Sequence, residues 1–136
     1  MKKVFICGGL GHIGLSLAAV MSEFYSIRLF DLNATAREKF NTERKAMFYE
    51  PGINELLLKN KDNISIASLL EDACDCDIIV VTIGTYIDEY LNPVLKHVFE
   101  LFKQLTHILL EVGIKKSLHL TVYEEPKPDK IWIYEN

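Results

Sequence analysis

The chain is poor in the residues that mark specialised proteins. Its cysteines, Cys7, Cys74 and Cys76, number 3 in 136 residues, an odd count too small for a disulfide framework. Cys74-Asp75-Cys76 has one residue between its thiols where zinc and redox pairs have two, and no second pair or nearby histidine completes a metal site. Lys and Arg number 15 against 19 Asp and Glu, a formal charge of -4, which argues against a surface built to coat nucleic acid or an anionic membrane. No apolar run reaches the roughly 18 residues of a membrane span. The opening Met1-Lys2-Lys3-Val4-Phe5-Ile6-Cys7 runs into glycines, without the small-residue cleavage site of a signal peptide. A cytoplasmic protein with no nucleic-acid or membrane partner is the expectation.

What is present suits a globular domain. A hydrophobic content of 49% supports a real core, and the length suits one domain. Apolar runs at Lys3–Cys7, Ile27–Phe30, Ile64–Ala67, Asp77–Ile83 and Ile108–Val112 read as strands. Between them, Gly14–Phe24 reads as a helix with Ile13, Leu17, Val20 and Met21 on one face and small Ala18 and Ala19 permitting close packing. A second helix is expected from about Ala34 to Phe40, capped by Asn33 or Thr35. Thr42 to Glu50 lacks a period and reads as a loop, after which Pro51-Gly52 opens a helix to about Asn60. Ser68-Leu69-Leu70-Glu71 has the capping-box pattern, and Asn92-Pro93 reads as a cap and first-turn proline opening a helix to about Leu105. Along that helix Val94, Val98, Leu101 and Leu105 form one face. Strands alternating with helices mean βαβ units, a parallel sheet and helices on both faces.

The first strand runs into Gly8-Gly9-Leu10-Gly11-His12-Ile13-Gly14, which contains G-x-G-x-x-G at Gly9, Gly11 and Gly14. Such a pattern is weak alone, but here a strand precedes it and a helix follows. Asp31 closes the next strand 22 positions after Gly9, near the roughly 20 of a dinucleotide-binding unit. Gly9 permits the tight turn, Gly11 lacks the Cβ that would meet a pyrophosphate, and Gly14 lets the helix pack closely. The helix N-terminus offers N–H groups to phosphates. Asp31 can accept both ribose hydroxyls and would repel a 2′-phosphate, so NAD is expected rather than NADP. The candidate cofactor-binding set is therefore Gly9, Leu10, Gly11, His12, Ile13, Gly14 and Asp31. The bland alternative is a glycine turn that binds nothing, although three glycines and a spaced Asp exceed what a turn requires. FAD uses a similar turn, usually with Glu at the ribose and a longer chain. His97, His107 and His119 read as solvated, and no Ser-His-Asp set assembles.

Four segments resemble the NAD-binding domain of the UDP-glucose/GDP-mannose dehydrogenases. They are Val4–Leu17, Leu29–Asn33, the Phe48-Tyr49-Glu50-Pro51-Gly52-Ile53-Asn54-Glu55-Leu56-Leu57 stretch, and Asp77–Val98 with Thr85, Asp88, Glu89, Asn92 and Pro93. The Tyr-Glu-Pro-Gly signature is the most specific, and the likeness covers roughly residues 1 to 107. The resemblance implies an α/β fold of Rossmann type, doubly wound, with a mostly parallel sheet. It also implies an oxidoreductase using NAD to convert a nucleotide-sugar C6 alcohol to a carboxylate, and it adds Gly84 and Thr85 to the cofactor-binding set. The chain departs from the family where Gly84 and Tyr86 replace two prolines, Tyr86 bringing a bulky ring towards the cofactor's path. In the segment before Tyr49, Glu43-Arg44-Lys45-Ala46-Met47 lacks the usual Gly and Pro. The family's nucleophilic cysteine and catalytic lysine belong to a second half not matched here. No catalytic residue is therefore assigned, and turnover is expected to need a substrate domain supplied elsewhere.

These readings divide the chain into an NAD-binding domain over 1–112 and a C-terminal extension over 113–136. In the extension Leu118–Tyr123 and Lys130–Tyr134 alternate as a hairpin around Pro126 and Pro128, expected to extend the sheet, with pairing to a second copy or a poorly ordered tail as the alternatives. Trp132 and Tyr134 on an exposed edge would favour a homodimer. The alternative function is a stand-alone, non-catalytic NAD(H)-binding module or protein-interaction domain.

Overall fold

A computed structural model describes residues 1–113, 118–120 and 123–124. The chain opens with β1 (Lys3–Cys7), α1 (His12–Met21), β2 (Ser26–Phe30), α2 (Ala34–Glu43), α3 (Ile53–Lys59) and β3 (Ile64–Ile66). A 3-10 segment over Leu70–Asp75 leads to β4 (Ile78–Val81), β5 (Gly84–Ile87), β6 (Pro93–Val94), α4 (Lys96–Glu111), β7 (Leu118–Leu120) and β8 (Tyr123–Glu124). The main sheet has the order β3-β2-β1-β4-β7 and every pairing in it is parallel. A smaller sheet, β6-β5-β8, stands beside it.

The two-residue period of the strands divides the core. Val4 and Ile6 of β1, Ile27 and Leu29 of β2 and Val80 of β4 face one side, against Leu15, Ala18 and Ala19 of α1 and Leu57 of α3. Phe5, Cys7, Phe30, Ile79 and Val81 face the other, against Leu105 and Leu109 of α4 and Ala73 and Cys76. Phe5 and Phe30 stack there with ring centroids 5.9 Å apart. Beneath the N-terminal ends of the strands, Lys3 and Arg28 both reach Asp75, at 2.7 and 3.5 Å.

Several sequence expectations are corrected. The packed face of α1 is centred on Gly14, Leu15 and the expected Ala18 and Ala19, with the expected Leu17 and Met21 partly buried beside them, while Ile13 and Val20 are 39% and 56% exposed. A helix lying on a sheet at close range buries its small residues and leaves larger ones at the flanks. Pro93 does not begin a helix: Pro93 and Val94 pair with Ile87 and Tyr86 as an antiparallel hairpin, and α4 starts at Lys96. The turn of that hairpin is held by Asp88, which accepts from the N–H groups of Asn92 and Tyr90 at 2.8 and 2.9 Å. Those bonds, that from Asn92 foremost, lower its carboxyl below the usual range.

Ile108–Val112 is not a strand either, because α4 continues to Glu111 and buries Val98, Leu105 and Leu109 at helical spacing. A short apolar run is ambiguous in period, and the packing of its neighbours decides. The strand that follows β4 in the sheet is instead Leu118–Leu120. At the Ser68 turn the capping carboxylate is Asp72, not Glu71, accepting from the N–H groups of Ser68 and Leu69 at 3.2 Å. The strand expected over Lys130–Tyr134, with its Trp132 and Tyr134, lies outside the described residues. So does the side chain of Tyr86. Among the described residues, no helix is long and apolar enough to cross a membrane.

Leu105 is fully buried whereas Leu110, five positions on, is 72% exposed. Urea unfolding should therefore show Leu105→Ala losing about 2–5 kcal/mol, and Leu110→Ala losing less than about 0.5 kcal/mol. Comparable losses would contradict the orientation of α4.

Candidate functional site

The sheet changes direction at β1. The chain leaves β1 toward β2 and β3, then crosses back to place β4 on β1's other side, so the crevice for a ligand opens beyond the carboxyl ends of β1 and β4. A cleft of about 470 Å³ lies there. Its walls come from Cys7, Gly8 and Gly11, from Phe30, Asp31 and Leu32, and from Thr82, Ile83 and Gly84. The first half of α4 closes it with His97, Glu100, Leu101 and Gln104.

The glycines do different work. Gly8 has φ +76°, and a Cβ on it would lie 2.7 Å from the Thr82 carbonyl oxygen. A Cβ on Gly14 would come within 2.6 Å of Thr82 Oγ1, and one on Gly9 within 2.9 Å of the Ile6 carbonyl and of the Leu29 side chain. These three are excluded from carrying side chains by the protein itself. Gly11 differs: its nearest obstacle is 3.4 Å away, so its bareness leaves space rather than avoiding a clash. Gly11 also caps α1 without a side chain, and the first turn of α1 has no acidic residue, so its outward N–H groups are offered to an anion.

Asp31 sits where β2 ends and is aimed by the backbone. Its carboxylate accepts from the Leu10 N–H at 3.3 Å and the Asn33 N–H at 3.1 Å. Its main-chain carbonyl accepts from the Arg37 guanidinium, which lies 5.7 Å from the centre of the Phe30 ring. Asn33 in turn caps α2 by accepting from the Ala36 N–H at 3.0 Å.

Of the residues anticipated from sequence, Gly11, Asp31 and Gly84 line the cleft, while Gly9 and Gly14 stand behind it as the packing that shapes the turn. Leu10 is buried at 5% exposure and takes part through its N–H. Ile13 is on the outside of α1, and His12 stacks on Phe48 and meets Glu50. Thr85 is buried in β5, beside the wall residue Gly84. Two contributors were not legible. Thr82 donates its hydroxyl to the carbonyls of Cys7 and Gly8 at 3.0 and 3.2 Å, pinning the glycine turn to the end of β4. The α4 wall is the second: His97, solvent-exposed as expected at 64% of its side chain, also lines the cleft with Glu100. Only the helical spacing of His97, Glu100, Leu101 and Gln104 could have pointed to it.

The asymmetry between Gly14 and Gly11 is testable in the apo-protein. Gly14→Ala should cost roughly 2–3 kcal/mol in chemical denaturation, while Gly11→Ala should stay within about 0.5 kcal/mol of the parent. Equal effects would mean that both glycines are architectural.

Comparison with known proteins places this geometry. The model of the UDP-glucose/GDP-mannose dehydrogenase family, NAD binding domain, matches residues 2–119, carrying the likeness past the point where the motifs end. No curated protein matches. Among solved structures, GDP-mannose dehydrogenase from Pseudomonas aeruginosa superposes with a TM-score of 0.79 at 19% identity, covering 90% of this chain and 28% of that one. A UDP-glucose dehydrogenase from Pyrobaculum islandicum gives 0.77 at 19% identity over 100% of this chain and 41% of its own. At those identities the superpositions establish the Rossmann-type fold, and this chain spans well under half the length of either relative. The family follows from the sequence match over most of the chain: it belongs to the UDP-glucose/GDP-mannose dehydrogenases, as their NAD-binding domain.

Proposed function

We propose that this chain holds NAD(H) in the cleft above β1 and β4, as the cofactor-binding part of a nucleotide-sugar 6-dehydrogenase. The observation that carries the reading is the pairing of an aimed carboxylate with a bare helix end. Asp31 is held by the amides of Leu10 and Asn33 on one wall, and Gly11 leaves the N-terminus of α1 open on the floor. A cleft of about 470 Å³ is also in the size range of small-molecule sites, about 300–1,000 Å³.

In this proposal the residues divide the labour. His12, Ile13 and Gly14, the first residues of α1, present backbone N–H groups to the diphosphate and Gly11 permits its close approach, while Gly9 and Leu10 shape the turn, their N–H groups donating to the Phe30 carbonyl and to Asp31. Asp31 accepts the adenosine ribose hydroxyls and disfavours a 2′-phosphate by like charge. Gly84 and Thr85, beyond β4, flank the nicotinamide end. When bound, NAD supplies a hydride acceptor. The chain's own contribution is to fix and orient it.

A second reading, a binding module without chemistry of its own, is supported by Cys7. It is the one thiol among the described cleft residues, and burial pushes it up to about 12, so it is no nucleophile near neutrality. In the dehydrogenase reading the thiolate for the aldehyde step must come from outside this segment. Iodoacetamide at pH 8 should leave Cys7 unmodified in the folded protein and modify it after unfolding. Alkylation of the native state would reopen it as a nucleophile.

Titration with NADH, with NADPH alongside, tests the main proposal. NADH should bind more tightly than NADPH, and Asp31→Ala should weaken NADH by roughly 10- to 100-fold, the size expected for hydrogen bonds to a charged acceptor. Absence of NADH binding would reduce the glycine turn to architecture.

A further inference from the structure

The Tyr-Glu-Pro-Gly segment, the most specific motif in the chain, contributes nothing to the cleft walls. Its Glu50 and the preceding Phe48 are engaged elsewhere. Phe48 stacks on the His12 ring with centroids 4.4 Å apart and planes within 19°, and Glu50 Oε2 lies 3.0 Å from His12 Nε2. His12 is the first residue of α1, so both contacts converge on the helix end that flanks Gly11. A carboxylate can only accept, which places a hydrogen on Nε2 and leaves Nδ1 facing away from Glu50.

The strap carrying these residues is itself anchored. Arg44, at φ +54°, ends α2 and donates to the Ile64 carbonyl at 2.9 Å. The Ala46 N–H donates to Asn54 Oδ1 at 2.9 Å, and Gly52, at φ +80°, turns the chain into α3 with the buried Ile53. A strap fixed at both ends by α2, β3 and α3 presents Phe48 and Glu50 to His12 as a preformed clamp.

We propose that Glu50 and Phe48 are positioning residues for the cofactor diphosphate, acting through His12. They lock the imidazole against the strap, beside the open N-terminus of α1, so that the diphosphate reaches the helix N–H groups without displacing a free rotor. The inference rests on the cofactor reading above. The opposing effect is repulsion between Glu50 and the phosphates. Solvent screens it, because the Glu50 side chain is 46% exposed, whereas the pairing with His12 is direct.

Two ligands separate this role from a general structural one: ADP-ribose carries the diphosphate, and adenosine does not. Glu50→Ala should weaken ADP-ribose roughly three- to ten-fold, the weight of the one hydrogen bond to Glu50 that holds the His12 ring in place, with adenosine unchanged. Glu50→Gln, which keeps an acceptor for Nε2–H, should recover most of the affinity. In a His12→Ala background Glu50→Ala should have no further effect. ADP-ribose binding that is unchanged or tighter in Glu50→Ala would overturn the inference, as would equal losses for both ligands. If the parent binds neither ligand, the cofactor reading itself fails. Thermal unfolding of each variant checks that the fold is retained, as the half-exposed position of Glu50 leads one to expect.

Discussion

Three strand ends meet at one crowded point, and the site depends on that meeting. Gly8 and Gly14 approach Thr82 so closely that neither could carry a Cβ, and the Thr82 hydroxyl bonds the carbonyls of Cys7 and Gly8. This contact sets how far β1 runs before it turns, and where α1 starts. It also keeps the end of β4 beside both. Gly9 extends the same constraint to β2, donating to the Phe30 carbonyl at 3.0 Å while its Cα packs against Leu29. With those ends fixed, Asp31 and Gly11 have little choice but to face a common space.

Burial sustains the arrangement from both sides. The strands are apolar on both faces, as a sheet covered by helices requires. One face rests on α1 and α3 and the other on α4 and the 3-10 segment. Because α4 lies over β1 and β4, its first half overhangs the cleft and its second half is core. The same helix serves stability at Leu105 and Leu109 and lines a binding space at His97, Glu100 and Gln104. Such a division places ligand-facing groups on a rigid element, where orientation costs little additional entropy.

The legible and illegible parts separate by the range of the interactions behind them. The glycine turn, the spaced Asp31 and the Asn33 cap are local signals, each set by the backbone needs of a few neighbouring residues, and they stand where the sequence places them. Pro93 carries two local meanings, helix start or strand edge, and only pairing with Ile87 decided between them. Ile108–Val112 carries two periods at once, and packing of Leu105 and Leu109 under the sheet resolved it as helix. Asp72 displaced Glu71 as the cap because the segment begins one residue later, with Leu69 at its N-cap, so that the same three-residue offset falls on Asp72.

The sequence by itself determined an alternating α/β chain, a dinucleotide-type turn with its acidic partner, and kinship to the UDP-glucose/GDP-mannose dehydrogenases, because each is written in short-range spacing. Tertiary structure alone decided that Thr82 pins the turn, that α4 supplies a wall of the cleft, and that Phe48 and Glu50 clamp His12. The Thr82 and His12 contacts join residues 36 to 75 positions apart, and the α4 wall faces residues farther off still. Nothing in the local chemistry of a threonine, a glutamate or a phenylalanine announces such a partner. Only the folding of two crossovers onto one sheet brings them within reach.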